Sequence, residues 1–368
     1  MTDRVNQHYV PQFYFRHFSQ DQRTIGTLLL DDGRLISHAP FKRQCSRSNF
    51  YGSKELESFF SKLESDHCHS IRAALEVANN ANADFFTRAE LMALFQAIVF
   101  QRSRTALEIE KHAPAAETFA LEGFKHWLMH KEGIENREEM IRQIEIGNVR
   151  VTEPPQATIV RQVANSIDTS ILISDLKILL LRNRTDFPFI FSDAPVVFYN
   201  NYCRNVKNRG VLGMQCQGLQ IFFPLDSWTC LLLLDAEKYG GPHEGFIHYD
   251  IHQRSDVSQI NALQLHHGLN SAYFGCLEQQ EYVRELWETH RHTITRPTGE
   301  CRVGVDFLVD GKKPDGELML MMENQVNFEL NLSFIECDPI LEHEYVFRPR
   351  SPELRDEYKS WMNEDIGR

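Results

Sequence analysis

A chain of 368 residues that is 42% hydrophobic and 24% charged can bury one large core or two ordinary ones, and has the composition of a soluble globular protein. A net charge of −12 argues against a broad nucleic-acid coat, because phosphate binding needs a positive surface, but it leaves room for a local basic groove. No apolar run approaches the ~18 residues that span a bilayer. The eight cysteines are scattered, without a C-x-x-C pair, as reduced thiols are, and the polar N-terminus lacks an apolar signal core. The expected location is the cytoplasm, with no membrane partner.

The first informative stretch is His8-Tyr9-Val10-Pro11-Gln12-Phe13-Tyr14-Phe15-Arg16-His17-Phe18, with five aromatic rings in eleven residues. So much apolar surface predicts burial, and burial would carry His8 and Arg16 inward with it. Thr24–Leu30 and Arg34–His38 read as a β-hairpin around Asp31-Asp32-Gly33-Arg34. Leu56, Phe59, Phe60, Leu63, Ile71 and Leu75 then form a helical stripe over residues 55–77. Thr87-Arg88-Ala89-Glu90 is a capping box, opening a helix from Ala89 to about His112 that is apolar almost all round and therefore central. Phe119–Lys131 and Arg137–Gly147 read as further helices, the second closed by Gly147.

Beyond Thr152–Pro155 a helix is expected over Gln156–Leu172, after which the pattern becomes β: Lys177–Arg182, Phe189–Ser192, Gln220–Pro224 and Thr229–Asp235. Leu231–Leu234 does not alternate, so it should be covered on both faces. A helix is expected from Ser255 to about Ala272, another over Glu281–His290, and two strands within Glu317–Ile335. The order predicts an α+β fold: a short β-hairpin, a helical, bundle-like N-terminal half, and a mixed or antiparallel sheet from the C-terminal half packed against it. A single domain over 1–368 is expected. Its sub-boundary lies near 148–155, between a mainly helical 1–147 and a mixed 156–368.

The opening string His8–Arg16 resembles the first motif of a mainly bacterial family, domain of unknown function 4238. Gln101-Arg102-Ser103-Arg104-Thr105 resembles that family's Gln-x-x-Arg-Thr helix, Phe189–Val196 its Ser-Asp-x-Pro-Val strand end, and Phe223-Pro224-Leu225 its Pro-Leu segment. Phe15 stands where the family usually has Leu. The resemblance covers most of the first 275 residues and implies no activity. It marks which polar residues to follow.

Buried, unpaired ionisable groups need a partner or a job. Arg104, on the most apolar helix, must meet an anion, which is either a substrate phosphate or a structural carboxylate. Asp193 ends an apolar strand, either as a catalytic carboxylate or as a turn cap. Glu57 and Glu64, two turns apart on one helix, share a face. With His8 and Asp193 they make a candidate set for a divalent cation, Mg or Mn. His248, Asp250 and His252 alternate as a metal-like set or as a polar loop face. Lys42, Arg43 and Arg47, and Arg204, Lys207 and Arg209, are the two basic stretches that would line a phosphate groove.

The expectation is a phosphodiester or nucleotide hydrolase. His8 would be its base or metal ligand, Asp193 a carboxylate ligand, Arg16 and Arg104 the phosphate binders, and Gln12, Gln101 and Tyr9 further substrate contacts. The family's distribution suggests a toxin or defence effector. The alternative is a non-catalytic interaction module in which these residues form a structural polar network.

Overall fold

The computed structural model describes residues 6–52, 54–80, 86–149, 163, 166, 168–207, 209–242, 247–275, 277–303 and 319–366. The fold is α+β, and two sheets organise it. The larger is mixed, with strand order β10-β5-β9-β8-β7. It comprises β5 (Lys177–Asn183), β7 (Val197–Tyr199), β8 (Gln220–Pro224), β9 (Thr229–Leu234) and β10 (His248–Ile251). Only the β10–β5 pair is parallel. Every residue of β8 and β9 is buried, as the unbroken Leu231–Leu234 run requires of a strand covered on both faces.

The second sheet is antiparallel, in the order β3-β2-β11-β6. The predicted hairpin supplies β2 (Thr24–Leu29) and β3 (Leu35–Pro40), joined through Gly33 at φ +71°. A Cβ on Gly33 would also meet the Trp287 ring at 2.3 Å, so glycine is required there twice over. The hairpin is not a separate appendage. β11 (Ser271–Phe274) pairs with β2 on one side and β6 (Phe191–Ser192) on the other, welding the two halves of the chain together.

The helices follow hydrophobic spacing with three informative differences. α2 (Lys54–Asn79) forms as its stripe predicts, and α3 (Arg88–Ser103) opens on the capping box of Thr87 and Glu90. The helix expected to reach His112 instead breaks at Arg104, and α4 (Ala106–His130) starts afresh with the Thr105 hydroxyl accepting from the Glu108 N–H. The helix expected to reach Ala272 ends earlier: α6 (Arg254–His267) stops at Gly268, so that Ser271–Phe274 can enter the sheet. α1 (Gln12–Phe18), α5 (Arg137–Glu145), α7 (Gln280–His290) and α8 (Pro352–Ile366) complete the described helices. Of the two strands expected in Glu317–Ile335, one is described, β13 (Met319–Glu323), and its partner β12 (Gly299–Val303) lies upstream. Most of the expected Gln156–Leu172 helix and of the 148–155 boundary lies outside the described residues, and where the expected helix ends the chain forms a short 3-10 helix, Ser170–Ile173.

One buried cluster runs from Tyr9, Tyr14 and Phe15 through Leu94 and Ile98 of α3 to Leu180, Phe223, Leu231 and Tyr345. The N-terminal aromatics are therefore core. Tyr14 stacks on Phe223 with ring centroids 5.3 Å apart and donates its hydroxyl to the Pro224 carbonyl, while Phe15 and Phe18 pack on Phe191. Among the described residues no helix is long and apolar enough to cross a membrane, and the seven described cysteines are free thiols.

Candidate functional site

The opening motif docks against α2 and the end of α3, where its polar groups bond to protein. β1 (Asn6–His8) pairs with β4 (Ser46–Ser48), which puts the His8 carbonyl at the break after α3. That carbonyl accepts from the Tyr51 hydroxyl at 2.9 Å and from Arg104. The Arg104 guanidinium is fully buried, 2.6 Å from Glu64 and 5.0 Å over the Phe100 ring. Gln101 donates to the Tyr9 carbonyl at 3.0 Å, and Gln7 donates to Glu57 at 3.1 Å. Glu57 and Glu64 do share the α2 face that meets this segment. Their partners are Gln7 and Arg104.

His8 itself is half-buried, with Nε2 3.4 Å from the Gln12 side-chain nitrogen. Burial is the largest influence on it and lowers its pKa, outweighing the raising effect of Glu64. Arg16 corrects the expectation of a buried cation. Tyr14, Phe15 and Phe18 occupy the inner face of the short helix α1 and turn Arg16 out to solvent.

Asp193 lies 2% exposed beneath the turn after α6. Its carboxylate accepts from the Leu269 N–H at 2.8 Å, the Asn270 N–H at 2.9 Å and the Asn270 side chain at 3.3 Å. The Ser-Asp-x-Pro-Val string around it is clamped by α6. Asn261 bonds Ile190 and Pro188, Gln264 bonds Ser192 and Pro195, and His267 Nδ1 lies 3.0 Å from the Ala194 carbonyl. These three side chains recur every third residue along one helix face. The motif is a docking device between strand and helix.

Burial pushes the Asp193 pKa up to about 6, against the bonds from Leu269 and Asn270. The folded chain therefore holds this proton between about pH 4 and 6 while the unfolded chain has lost it, so this group's contribution falls as pH rises through that window. Burial moves His67, His266 and His267 the other way, each down to about 4. Between about pH 4 and 6.5 the unfolded chain binds protons that these histidines do not, so their contribution rises with pH. The three histidines dominate, and wild-type stability is expected to rise from pH 4.5 to 6.5. Asp193→Asn removes the opposing slope and should steepen that rise by roughly 1–3 kcal/mol. Urea midpoints of both proteins at the two pH values check it; parallel slopes would contradict it.

His8, Arg16, Arg104 and Asp193 thus do not share one cleft: Arg104 and Asp193 are buried on local partners and Arg16 is exposed. Nor is the cation set of His8, Asp193, Glu57 and Glu64 assembled. Among the described residues no three His, Cys, Asp or Glu side chains are grouped to hold a metal ion. His248 Nε2 lies 2.8 Å from the Val77 carbonyl, and Asp250 pairs with Arg182 and Arg184. Of the basic stretches, Arg47 pairs with Glu110 on the surface, whereas Arg204, Lys207 and Arg209 line a cavity of about 590 Å³.

A denser constellation lies one residue from Gln101. Arg102 points away from Arg104, across the helix, and bonds Glu323 of β13 while its guanidinium sits 3.9 Å over the Phe198 ring. Lys111, fully buried, lies 2.5 Å from Glu108 and 2.7 Å from Glu323. The other oxygen of Glu108 is 3.1 Å from His112 Nε2. Burial works to raise the Glu108 pKa, but Arg102, Lys111 and His112 overcome it and hold the carboxylate well below its usual range. β12 closes on this corner through Gly299, where a Cβ would stand 2.5 Å from the Lys111 carbonyl. The charges of Lys111, Glu323 and Glu108 also influence the pKa of His267, though less than burial does.

Arg102, His112 and Glu323 form the polar wall of a cavity of about 390 Å³, with Arg209 at its rim and Met214, Met322, Tyr345 and Phe347 as its apolar lining. The His112 side chain is 22% exposed, so it is both held and reachable. A buried carboxylate holding a histidine at a cavity wall, with two arginines beside it, suits proton transfer next to an anion. The sequence reading passed over Arg102, Glu108, Lys111 and His112. Their signal was the Thr105-x-x-Glu108 start and the Glu108, Lys111, His112 spacing of three and four, masked because one continuous apolar helix was expected there.

No curated protein matches the chain, and no solved structure does. Residues 6–275 match the family described as Protein of unknown function (DUF4238), and that span holds both the opening motif and the Glu108–His112 pair. The match covers well over half of the chain, which therefore belongs to the DUF4238 family.

Proposed function

We propose that the protein is a phosphodiester or nucleotide hydrolase working at the cavity between α4, β13 and the 209–216 segment. His112 is its general base, Glu108 its positioning carboxylate, and Arg209 with Arg102 its phosphate-binding cations. One observation carries the reading: His112, 3.1 Å from Glu108, lines a cavity that Arg102 and Arg209 also line. His112 here takes the role that the sequence suggests for His8, and Arg209 and Arg102 those of Arg16 and Arg104.

With Nε2–H donated to Glu108, Nδ1 keeps the lone pair. Water attacks phosphorus as Nδ1 takes its proton. The phosphorus–ester oxygen bond breaks, and the departing alkoxide takes a proton from solvent, giving an alcohol and a phosphomonoester. The arginines offset the negative charge that grows on the non-bridging oxygens. Glu323 and Lys111 hold Arg102 and Glu108 in place by compensating their charges inside the protein. A nucleic acid or nucleotide reaching the cavity through the basic stretch Arg204–Arg209 is the fitting substrate class, and a toxin or defence effector is a role such chemistry would serve.

The test is a panel of dinucleotides, nucleotides and nitrophenyl phosphodiesters, each with and without Mg²⁺ or Mn²⁺. Wild type should turn over at least one of them, and Arg209→Ala should raise KM for it by about tenfold, the size of one lost charged contact. No turnover under any condition would remove the reading.

A second reading, a non-catalytic interaction module, is favoured by a specific observation. Buried Arg104 pairs with Glu64 and donates to the His8 carbonyl, and Gln101 donates to the Tyr9 carbonyl, so these polar groups meet protein partners, as in a structural network.

A further inference from the structure

We infer that the cavity beside His112 is one end of a continuous groove that binds single-stranded nucleic acid over several nucleotides. This inference rests on the hydrolase reading and extends it from a reacting phosphodiester to the polymer that carries it.

The groove has two walls. One is the 199–216 segment, which carries the basic stretch. The other is the stretch from Met322 to Cys337, whose pattern Val326-Asn327-Phe328-Glu329-Leu330-Asn331-Leu332-Ser333-Phe334 alternates apolar and polar residues. Burial follows the pattern. Val326, Leu330, Leu332 and Phe334 are buried, while Asn327, Glu329, Asn331 and Ser333 are exposed. The segment thus pins itself to the core by alternate residues and turns the amides of Asn327 and Asn331 and the carboxylate of Glu329 outward, while the Ser333 hydroxyl bonds Asp256.

Three cavities follow one another along these walls. The first, of about 390 Å³, ends at Met322 and Glu323. The next, of about 590 Å³, spans Asn324 to Glu329, and the last, of about 320 Å³, spans Leu330 to Cys337. Arg209 belongs to the first two and Arg204 to the last two, so one arginine stands at each junction. Arg209 lies 5.9 Å over the Tyr345 ring, and Arg204 is held 2.8 Å from Glu329.

This alternation of hollows and cations matches a chain whose planar bases alternate with phosphates. The apolar first hollow, with Tyr345, Phe347 and Met214, offers a stacking surface, and the amides of Asn205, Asn327 and Asn331 offer donors and acceptors to base edges. Separate concave pockets suit unstacked bases better than a stacked, paired strand. Acidic side chains are present too: Glu323, Glu329 and Asp256 line the groove, but each is already engaged, by Lys111 and Arg102, by Arg204, and by Ser333. An acidic peptide would satisfy the arginines but would leave the stacking surface and the amide row unused.

The experiment is fluorescence anisotropy with end-labelled mononucleotide, trimer, hexamer and nonamer single strands, and a hairpin duplex, on wild type, Arg204→Ala and Asn331→Asp. Affinity should rise by about tenfold or more from mononucleotide to hexamer and then level off, the gain of at least one further stacked base. The hexamer's affinity should fall with salt at a slope of about −1.4, two phosphates' worth for a single strand. Arg204→Ala should abolish most of the gain with length, and Asn331→Asp, at an exposed position that leaves the fold untouched, should reduce it. Hexamers that bind no tighter than a mononucleotide would overturn the groove while leaving the hydrolase reading standing. Duplex binding as tight as the single strand, or equal competition by polyglutamate, would overturn the assignment of single-stranded nucleic acid. Failure of every nucleotide and oligonucleotide to bind would overturn the groove and the hydrolase reading together.

Discussion

Replacing His112 with Ala is expected to lower kcat for a phosphodiester by roughly 10²–10⁴-fold while leaving the fold in place, the usual loss when a positioned base is removed. The substitution is structurally mild. His112 is partly exposed, and Glu108 keeps its 2.5 Å contact with Lys111 after the imidazole is gone. KM should change little, because the arginines remain. Steady-state kinetics and a urea midpoint on the same preparation separate the effects. His112→Gln can keep a hydrogen bond to Glu108 but cannot carry the proton, so it should be as inactive as the alanine variant. A purely structural histidine would give the opposite pattern: full turnover and a lower midpoint. Glu108→Gln is the harsher change. It would leave Arg102 and Lys111 sharing a single buried carboxylate, Glu323, and stability and activity should fall together.

Arg104→Ala is expected to destabilise the protein by about 3–5 kcal/mol, the cost of breaking a buried ion pair from one side. Among the described residues Arg104 is the largest fully buried side chain, and its removal takes away the partner of Glu64 and one donor to the His8 carbonyl. It also empties the space between the Phe100 and Tyr51 rings. Glu64→Ala should cost nearly as much, because it leaves the guanidinium buried without its carboxylate. The double variant should cost clearly less than the sum of the two, a coupling that urea midpoints measure directly. If both single changes shift the midpoint by less than the equivalent of about 1 kcal/mol, as surface pairs do, the N-terminal segment is not locked by this pair. Hydrogen exchange at β1 and β4 would report the same loosening locally.

The fold was legible where one physical signal dominated. Unbroken Leu231–Leu234 marked a strand covered on both faces, the Thr87–Glu90 box marked a helix start, and Asp32-Gly33 marked a hairpin turn. Boundaries were lost where a local signal gave way to a long-range one. Ala272 continues an apolar helical pattern, but pairing with Leu28 and Ser192 draws it into a strand. Thr105 interrupts an apolar helix without a proline or glycine, because its hydroxyl caps α4 while Arg104 turns inward to Glu64.

The candidate site was half legible for a related reason. Spacing put Glu57 and Glu64 on one helix face, and that face meets the opening segment through Gln7 and Arg104. Spacing does not say whether a buried arginine meets a substrate or a carboxylate, and here the carboxylate is part of the fold. The Arg102 cluster needed Glu323, more than two hundred residues downstream, and no local pattern announces that partner. Asp193 had two readings from its strand-end position. The N–H groups of Leu269 and Asn270, brought there by the early end of α6, favour the turn cap.

A crystal structure with a non-hydrolysable phosphorothioate dinucleotide tests the account most directly. The account predicts a phosphorothioate on Arg209 in the α4–β13 cavity, with His112 Nδ1 within roughly 2.6–3.2 Å of a water facing the phosphorus. A dinucleotide bound instead beside His8 and Gln12, or no dinucleotide bound at any concentration that crystals withstand, would contradict it.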